Sequence, residues 1–329
     1  MPSSPRRVLI TGGAGFLGVN AAVHLIGLGW HASLLDNLSR PGTERNLKWI
    51  QETHPKEVTF IKEDIRNAQS LDQHVKKQDA ILHLAAQVAV TTSLTDPVTD
   101  FDVNAKGTLN VLEAARKTNP ETTLLFASTN KVYGKLDENN VACKETQPLD
   151  FHSPYGCSKG AADQYVRDYA RVYKMNTVVL RQSCIYGEHQ YGTEDQGWVA
   201  HFVHQILKKK PLTIYGDGTQ VRDLLDARDL SALYATVIDQ PDKARGNVYN
   251  VGGGPQNKRN LLEVIGHIGE LTGIKPQYSF SDWREGDQTY YVSDISKAKQ
   301  QLDWEPKVDF DRGLEHLIDW ARSQDSRSR

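Results

Sequence analysis

The stretch Arg7-Val8-Leu9-Ile10-Thr11-Gly12-Gly13-Ala14-Gly15-Phe16-Leu17-Gly18 decides how this chain of 329 residues is read. A short apolar run ends in glycines at 12, 15 and 18 and passes straight into a second apolar segment that continues through Leu25. The order of strand, glycine-rich turn and helix brings backbone N–H groups and a helix N-terminus up against a pyrophosphate. Asp36 closes the next apolar run 18 residues beyond Gly18, where a carboxylate for a ribose is expected. The pattern predicts dinucleotide binding by Gly12, Gly15, Phe16, Leu17, Gly18 and Asp36. It also predicts NAD rather than NADP, because Asp36 repels a 2′-phosphate. Arg40, four residues on, is open to two readings, lying against the adenine or accepting a phosphate.

Outward from this stretch, short β-branched runs at 7–11, 31–35, 58–61, 80–84, 123–127 and 177–181 alternate with longer amphipathic segments. Such alternation predicts an α/β fold, a Rossmann doubly wound parallel sheet. Past Arg181 the rhythm loosens around Gly187, Gly192, Gly197, Gly216 and Gly218. The expected division is therefore an NAD-binding domain over 1–181 and a smaller C-terminal substrate-binding region over 182–329, partly interleaved with it. Only residues 323–329 read as a solvated tail.

Composition narrows the function. With 39% hydrophobic and 24% charged residues the chain has the makeup of a packed globule rather than a disordered one. Thirty-nine basic against 41 acidic residues give no global attraction to polyanions, so nucleic acid is not expected as a partner. No apolar run approaches the roughly 20 residues of a membrane helix, and the first residues lack a signal-peptide core, which points to the cytoplasm. Cys143, Cys157 and Cys184 form no CxxC pair and read as plain thiols. His201 and His204 sit close on a predicted helix but have no third ligand nearby in sequence, so they read as a surface pair and no metal is expected.

The chemistry is read from Tyr155-Gly156-Cys157-Ser158-Lys159, the start of a predicted helix running to about Tyr173. The i, i+4 spacing puts Tyr155 and Lys159 on one helical face. An ammonium and a positive nicotinamide ring nearby favour phenolate and are expected to bring the tyrosine toward neutrality as a base for a sugar hydroxyl. Thr129, in the string Ser128-Thr129-Asn130-Lys131-Val132-Tyr133-Gly134, lies at a strand end on the carboxyl edge where α/β sheets bind ligands.

Taken together, TGGAGFLG, HLAAQ (83–87), VNAKGTLNVLEAAR (103–116), SPYGCSK, YGDGTQVRDLLDARDL (215–230) and REGDQ (284–288) resemble an extended short-chain dehydrogenase/reductase of the nucleotide-sugar epimerase/dehydratase group. The strings STNKVYG, CSKGAADQY, SCIYG and EDQGWVAHF are most similar to CDP-paratose/CDP-tyvelose 2-epimerases. This resemblance implies a catalytic set of Thr129, Tyr155 and Lys159. It extends the cofactor contacts to Asn37, Asp64, Ile65, Leu84, Ala85, Ala86 and Asn104. It further implies a substrate site with Arg222 and Arg284 on the diphosphate and with Asn130, Lys131, Asp195, Gln196 and Trp198 around the sugar. Family dehydratases carry an Asp-Glu pair after the hydroxyl residue, whereas this chain has Asn130-Lys131. Neither side chain is the carboxylic acid that dehydration uses to protonate a leaving hydroxyl. The family's usual asparagine after its LR string is also replaced, here by Arg181-Gln182-Ser183-Cys184.

The expected activity is inversion of a CDP-hexose at C2 by transient oxidation with bound NAD. A UDP-hexose 4-epimerase and a non-catalytic NAD-binding scaffold are the alternatives. A homodimer through the segments 98–117 and 155–173 is the expected assembly.

Overall fold

The computed structural model describes residues 5–136, 142–284 and 286–327. The six predicted runs are the strands β1 (Arg7–Thr11), β2 (His31–Asp36), β3 (Val58–Lys62), β4 (Ala80–His83), β5 (Thr123–Thr129) and β6 (Asn176–Gln182). They pair in parallel in the order β3-β2-β1-β4-β5-β6, the doubly wound arrangement of a Rossmann fold.

The next strands are β7 (Cys184–Tyr186), β8 (Leu212–Tyr215), β9 (Val221–Asp226) and β10 (Val248–Val251). β10 adds to the outer side of β6 as a seventh parallel strand, so the main sheet is completed from beyond residue 181.

Alternation along β1 explains how the sheet is buried on both faces. Val8 and Ile10 pack with Ala22 and Leu25 of the helix Phe16–Gly27 and with Leu230 and Leu233 of the helix Ala227–Asp239. Leu9 faces the other way, into a core with Phe126, Val111, Leu112 and Val166, the last three from the helices Gly107–Thr118 and Ser153–Val172. Strands covered on both sides need apolar residues at successive positions, which is what Val8-Leu9-Ile10 provides.

The C-terminal region has its own core, built from Phe202, Val203, Ile206, Ile214, Val264, Phe310, Leu314 and Leu317. Its strands form a small sheet of β7, β9, β11 (Lys258–Asn260) and a later two-residue strand, plus a ribbon of β8 with β12 (Tyr278–Ser281). That later strand is β13 (Tyr290–Tyr291), whose Tyr291 pairs with Arg222 of β9. This register delivers Gly286 and Gln288 to the carboxyl end of β5, where they meet Lys131 and Asn130. The predicted tail is corrected over 323–327, which are the last turns of the helix Phe310–Arg327. Residues 328–329 lie outside the described residues.

Candidate active site

A cavity of about 900 Å³ runs along the carboxyl edge of the main sheet, with the glycine turn at one end and the C-terminal region at the other. At the first end, Gly12 has φ +68°, and a Cβ there would stand 2.8 Å from the Ala85 nitrogen. A Cβ on Gly18 would stand 2.5 Å from the Gly12 carbonyl oxygen. Only glycine lets the turn close this tightly at the mouth of the helix Phe16–Gly27, so the cradle fits a pyrophosphate on that helix N-terminus. Asp36, 8% exposed, accepts from Ala14 N at 3.1 Å and Leu38 N at 2.8 Å, which ties the end of β2 to the glycine turn. Burial raises its carboxyl pKa and these two amides oppose the rise. Asp36 lines the cavity with free lone pairs, a fit for ribose hydroxyls and a poor one for a phosphate.

Asn37 donates to Asp64 at 2.8 Å, and Arg66 holds the same carboxylate bidentately, keeping it well below the usual carboxylate range. Phe16, Leu17, Arg40, Ile65, Leu84, Ala85 and Ala86 line this half as well. Arg40 points far enough inward for its charge to act on Tyr155. Asn104 is not among the residues that line the cavity. It is 1% exposed and its amide is spent on the backbone of Gln87 at 2.9 and 3.0 Å, on Asp100 and on Ser158. It shapes the wall behind residues 85–89 rather than touching what lies in front.

Midway along the cavity lie Thr129, Tyr155 and Lys159. Thr129 ends β5 and caps the short turn Asn130–Tyr133, accepting from Lys131 N at 3.2 Å. Tyr155 enters from the helix Ser153–Val172, with its N–H held by Ser93 Oγ at 3.2 Å. Lys159, one turn on, donates from Nζ to Ala127 O at 2.5 Å and lies 4.2 Å from the Phe126 ring centroid.

The chain's own groups do not by themselves bring the tyrosine toward neutrality. Burial pushes the Tyr155 phenol up to about 12, with Thr129 and Arg40 pulling the other way and Asp100 adding to the rise. Burial also brings Lys159 down to about 7, against the pull of Asp163 and Asp100. Desolvation disfavours both charged forms, so the pair rests as phenol and a weakly held ammonium until a further positive charge arrives beside the ring.

The other half of the cavity gathers residues from distant parts of the chain. Asn130, Lys131, Asp195, Gln196, Trp198, Arg222 and Arg284 all line it. Arg222, 8% exposed, donates to the carbonyls of Val221 at 2.8 Å and Gln288 at 2.5 Å. Arg284 is already engaged, 3.4 Å from Asp195 and 3.6 Å above the Tyr215 ring centroid. Lys131 donates to Gly286 O at 3.2 Å, and burial, then Arg222, lower its pKa to about 8.

Three features escaped the sequence reading. Cys184 is a thiol that lines this half next to Trp198, Arg222 and Lys131, and burial raises its pKa. His201 and His204 are half-buried rather than a surface pair: His201 lines the cavity and His204 stacks on Tyr191. Gln288 joins Asn130 to Gly134, a link between positions 158 residues apart whose only trace in the sequence was the string REGDQ. Among the described residues, no group of three or more His, Cys, Asp or Glu is placed to hold a metal ion, and no helix is long and apolar enough to cross a membrane.

Residues 9–317 match the family model described as GDP-mannose 4,6 dehydratase. Over 96% of this chain and 99% of the relative, the sequence is 43% identical to the CDP-paratose 2-epimerase of Salmonella typhi. The fold superposes on the UDP-glucose 4-epimerase of Thermus thermophilus, solved in complex with NAD, with a TM-score of 0.86 and 33% identity over 96% of this chain and 99% of that one. It superposes equally on the Streptomyces venezuelae dTDP-glucose 4,6-dehydratase DesIV, solved with NAD and TYD bound, with a TM-score of 0.88 and 28% identity over 98% of each chain.

Proposed function

From the premise that this chain belongs to the extended short-chain dehydrogenase/reductase family matched by the GDP-mannose 4,6 dehydratase model, with NAD as its cofactor and a nucleotide sugar as its class of substrate, we propose that it is an epimerase inverting C2 of a CDP-hexose. NAD, held in the glycine-turn half of the cavity, would supply reversible hydride transfer at the sugar carbon, and inversion follows when re-reduction occurs on the opposite face.

The chain's own residues supply the rest. Tyr155 accepts the hydroxyl proton as the carbon is oxidised and gives it back on re-reduction. Lys159 holds its charge beside the phenolate, and Thr129 shares a hydrogen bond with the reacting oxygen. Gly12, Gly15, Gly18 and Asp36 hold the dinucleotide. Arg222 takes the diphosphate and Lys131 adds a second positive charge beside it. Arg284 joins in as its ties to Glu194 and Asp195 relax.

The observation that carries epimerisation over dehydration is the turn after Thr129. Asn130 has no acidic proton for a leaving hydroxyl, and the Lys131 ammonium is turned onto Gly286 O. C2 and the cytosine nucleotide rest on the resemblance to the 43% identical relative. Inversion of a UDP-hexose at C4 is the second reading, supported by the similarity to the T. thermophilus enzyme. A panel of CDP-, UDP- and GDP-sugars separates them. Turnover of CDP-paratose with UDP-glucose inert supports the 2-epimerase, and turnover of UDP-glucose alone removes it.

A homodimer is proposed with it. Val98, Phe101, Tyr165 and Val172 are 71%, 55%, 47% and 58% exposed on the two expected interface segments, a large apolar surface for one chain to leave in water. Light scattering at micromolar concentration is expected to give twice the chain mass, and a monomer mass refutes the pairing.

A further inference from the structure

Between β7 and the helix Trp198–Leu207 the chain crosses from the C-terminal region to the first β-α-β unit. Residues 187–191 make this crossing as a strap along the cofactor half of the cavity. Gly187 sits against Phe16 and Ala227, where a Cβ would stand 3.6 Å from the Phe16 ring and 3.0 Å from the Ala227 Cβ. Asn20, one turn into the helix Phe16–Gly27, donates from Nδ2 to Glu188 O at 2.9 Å. Asn46, in the helix Thr43–Thr53, donates from Nδ2 to His189 O at 3.1 Å. The His189 ring lies 4.1 Å from that of Trp49, and Tyr191 packs on Gly42, where a Cβ would stand 2.7 Å from its ring. His189, Gln190 and Tyr191 share the cavity wall with Phe16, Arg40 and Thr43.

Two properties mark the strap as a part that opens. Its two sides are held unequally: toward the first β-α-β unit the polar ties are the single bonds from Asn20 and Asn46, whereas His189 and Tyr191 both pack on Trp320 of the C-terminal core, and His204 Nε2 donates to Gln190 O at 3.3 Å. Released from the two asparagines, the strap stays with the C-terminal region. In addition, His189 holds φ +66°, a conformation that strains a residue with a Cβ and persists only while its surroundings enforce it.

We propose that residues 187–191 are a gate on the path of the cofactor into and out of its cradle, and that Asn20 and Asn46 are the positioning residues that hold it shut. Asn20 does not line the main cavity, so its amide bears on the cofactor only through the backbone that it holds. The proposal rests on NAD as the cofactor and not on which sugar carbon is inverted. For an enzyme whose cofactor must give back its own hydride, slow exit keeps the two half-reactions together.

The test follows NADH by its fluorescence with no sugar present. Association is timed on enzyme freed of cofactor, and release on NADH-loaded enzyme chased with excess NAD. Asn20→Leu and Asn46→Leu keep the side-chain volume and remove the donors. A gate held less firmly is open for a larger fraction of the time, so each variant is expected to speed association and release alike, by about two- to tenfold for one hydrogen bond lost. Faster release with association unchanged or slowed means a damaged cradle and overturns the proposal, as do two unchanged rates. Either variant alone decides if the other does not fold. Loss of the C2 assignment on the panel of nucleotide sugars would leave these rates untouched.

Discussion

The two halves of the cavity are built in opposite ways. The cofactor half comes largely from one local unit, β1, the glycine turn, the first helix and the end of β2, and its key groups are set by backbone: glycines that close on Ala85, and a carboxylate fastened by Ala14 N and Leu38 N. The sugar half is assembled from positions 130–131, 184, 195–198, 222, 284 and 287, and its charges are held by other side chains and by carbonyls. A local unit fixes a ligand common to a whole family. An assembly of distant loops can be re-paired to suit one sugar, which is where relatives with different substrates are expected to differ.

The largest effect should fall at the seam between the halves. Tyr155→Phe removes the proton acceptor with little change in volume and is expected to reduce kcat by about 10² to 10⁴, with nucleotide-sugar binding retained in calorimetry. In the sugar half, Arg222→Met removes a nearly buried cation and should raise KM for CDP-paratose by roughly 10- to 100-fold, the scale of charge-assisted hydrogen bonds worth about 1.5 to 3 kcal/mol. In the cofactor half, Asp36→Ala should narrow the preference for NAD over NADP by about tenfold, read by mass spectrometry of the cofactor released on denaturation. If NADP dominates in the unaltered enzyme, Arg40 and not Asp36 decides the cofactor.

Smaller effects sharpen the contrast further. Arg284→Met should cost less than about fivefold in KM, because Glu194 and Asp195 already compete for that guanidinium and an exposed pair is weak. Lys131, lowered to about 8, is charged below that pH and neutral above it. KM should therefore climb a few-fold as pH rises through about 8, and the step should vanish in Lys131→Met. A step that survives the substitution assigns it to another group.

The same contrast explains what could be read from the sequence. The glycine turn, Asp36 and the Tyr155/Lys159 pair are spacing motifs, and a spacing within one element survives folding unchanged. β10 was missed because Val248–Val251 is a four-residue strand set in a glycine-rich region, with nothing local to say that it joins β6. That Asn104 turns its amide back to Gln87 is likewise set by the assembled fold and not by its place in the VNAKGT string. Gln288 and Cys184 gain their positions only through pairings across the fold. The tyrosine's raised pKa was not legible either, since burial is a property of the assembled site and spacing reports only which groups are neighbours.

The central claim is that one sugar carbon loses its hydrogen to the bound cofactor and takes the same hydrogen back on the other face. CDP-paratose carrying deuterium at C2, incubated with the enzyme in ordinary water and analysed by NMR, tests it directly. The expected product has an inverted centre that retains its deuterium, with none released to solvent. Inversion with the label washed out, or inversion at another carbon with C2 untouched, would contradict it.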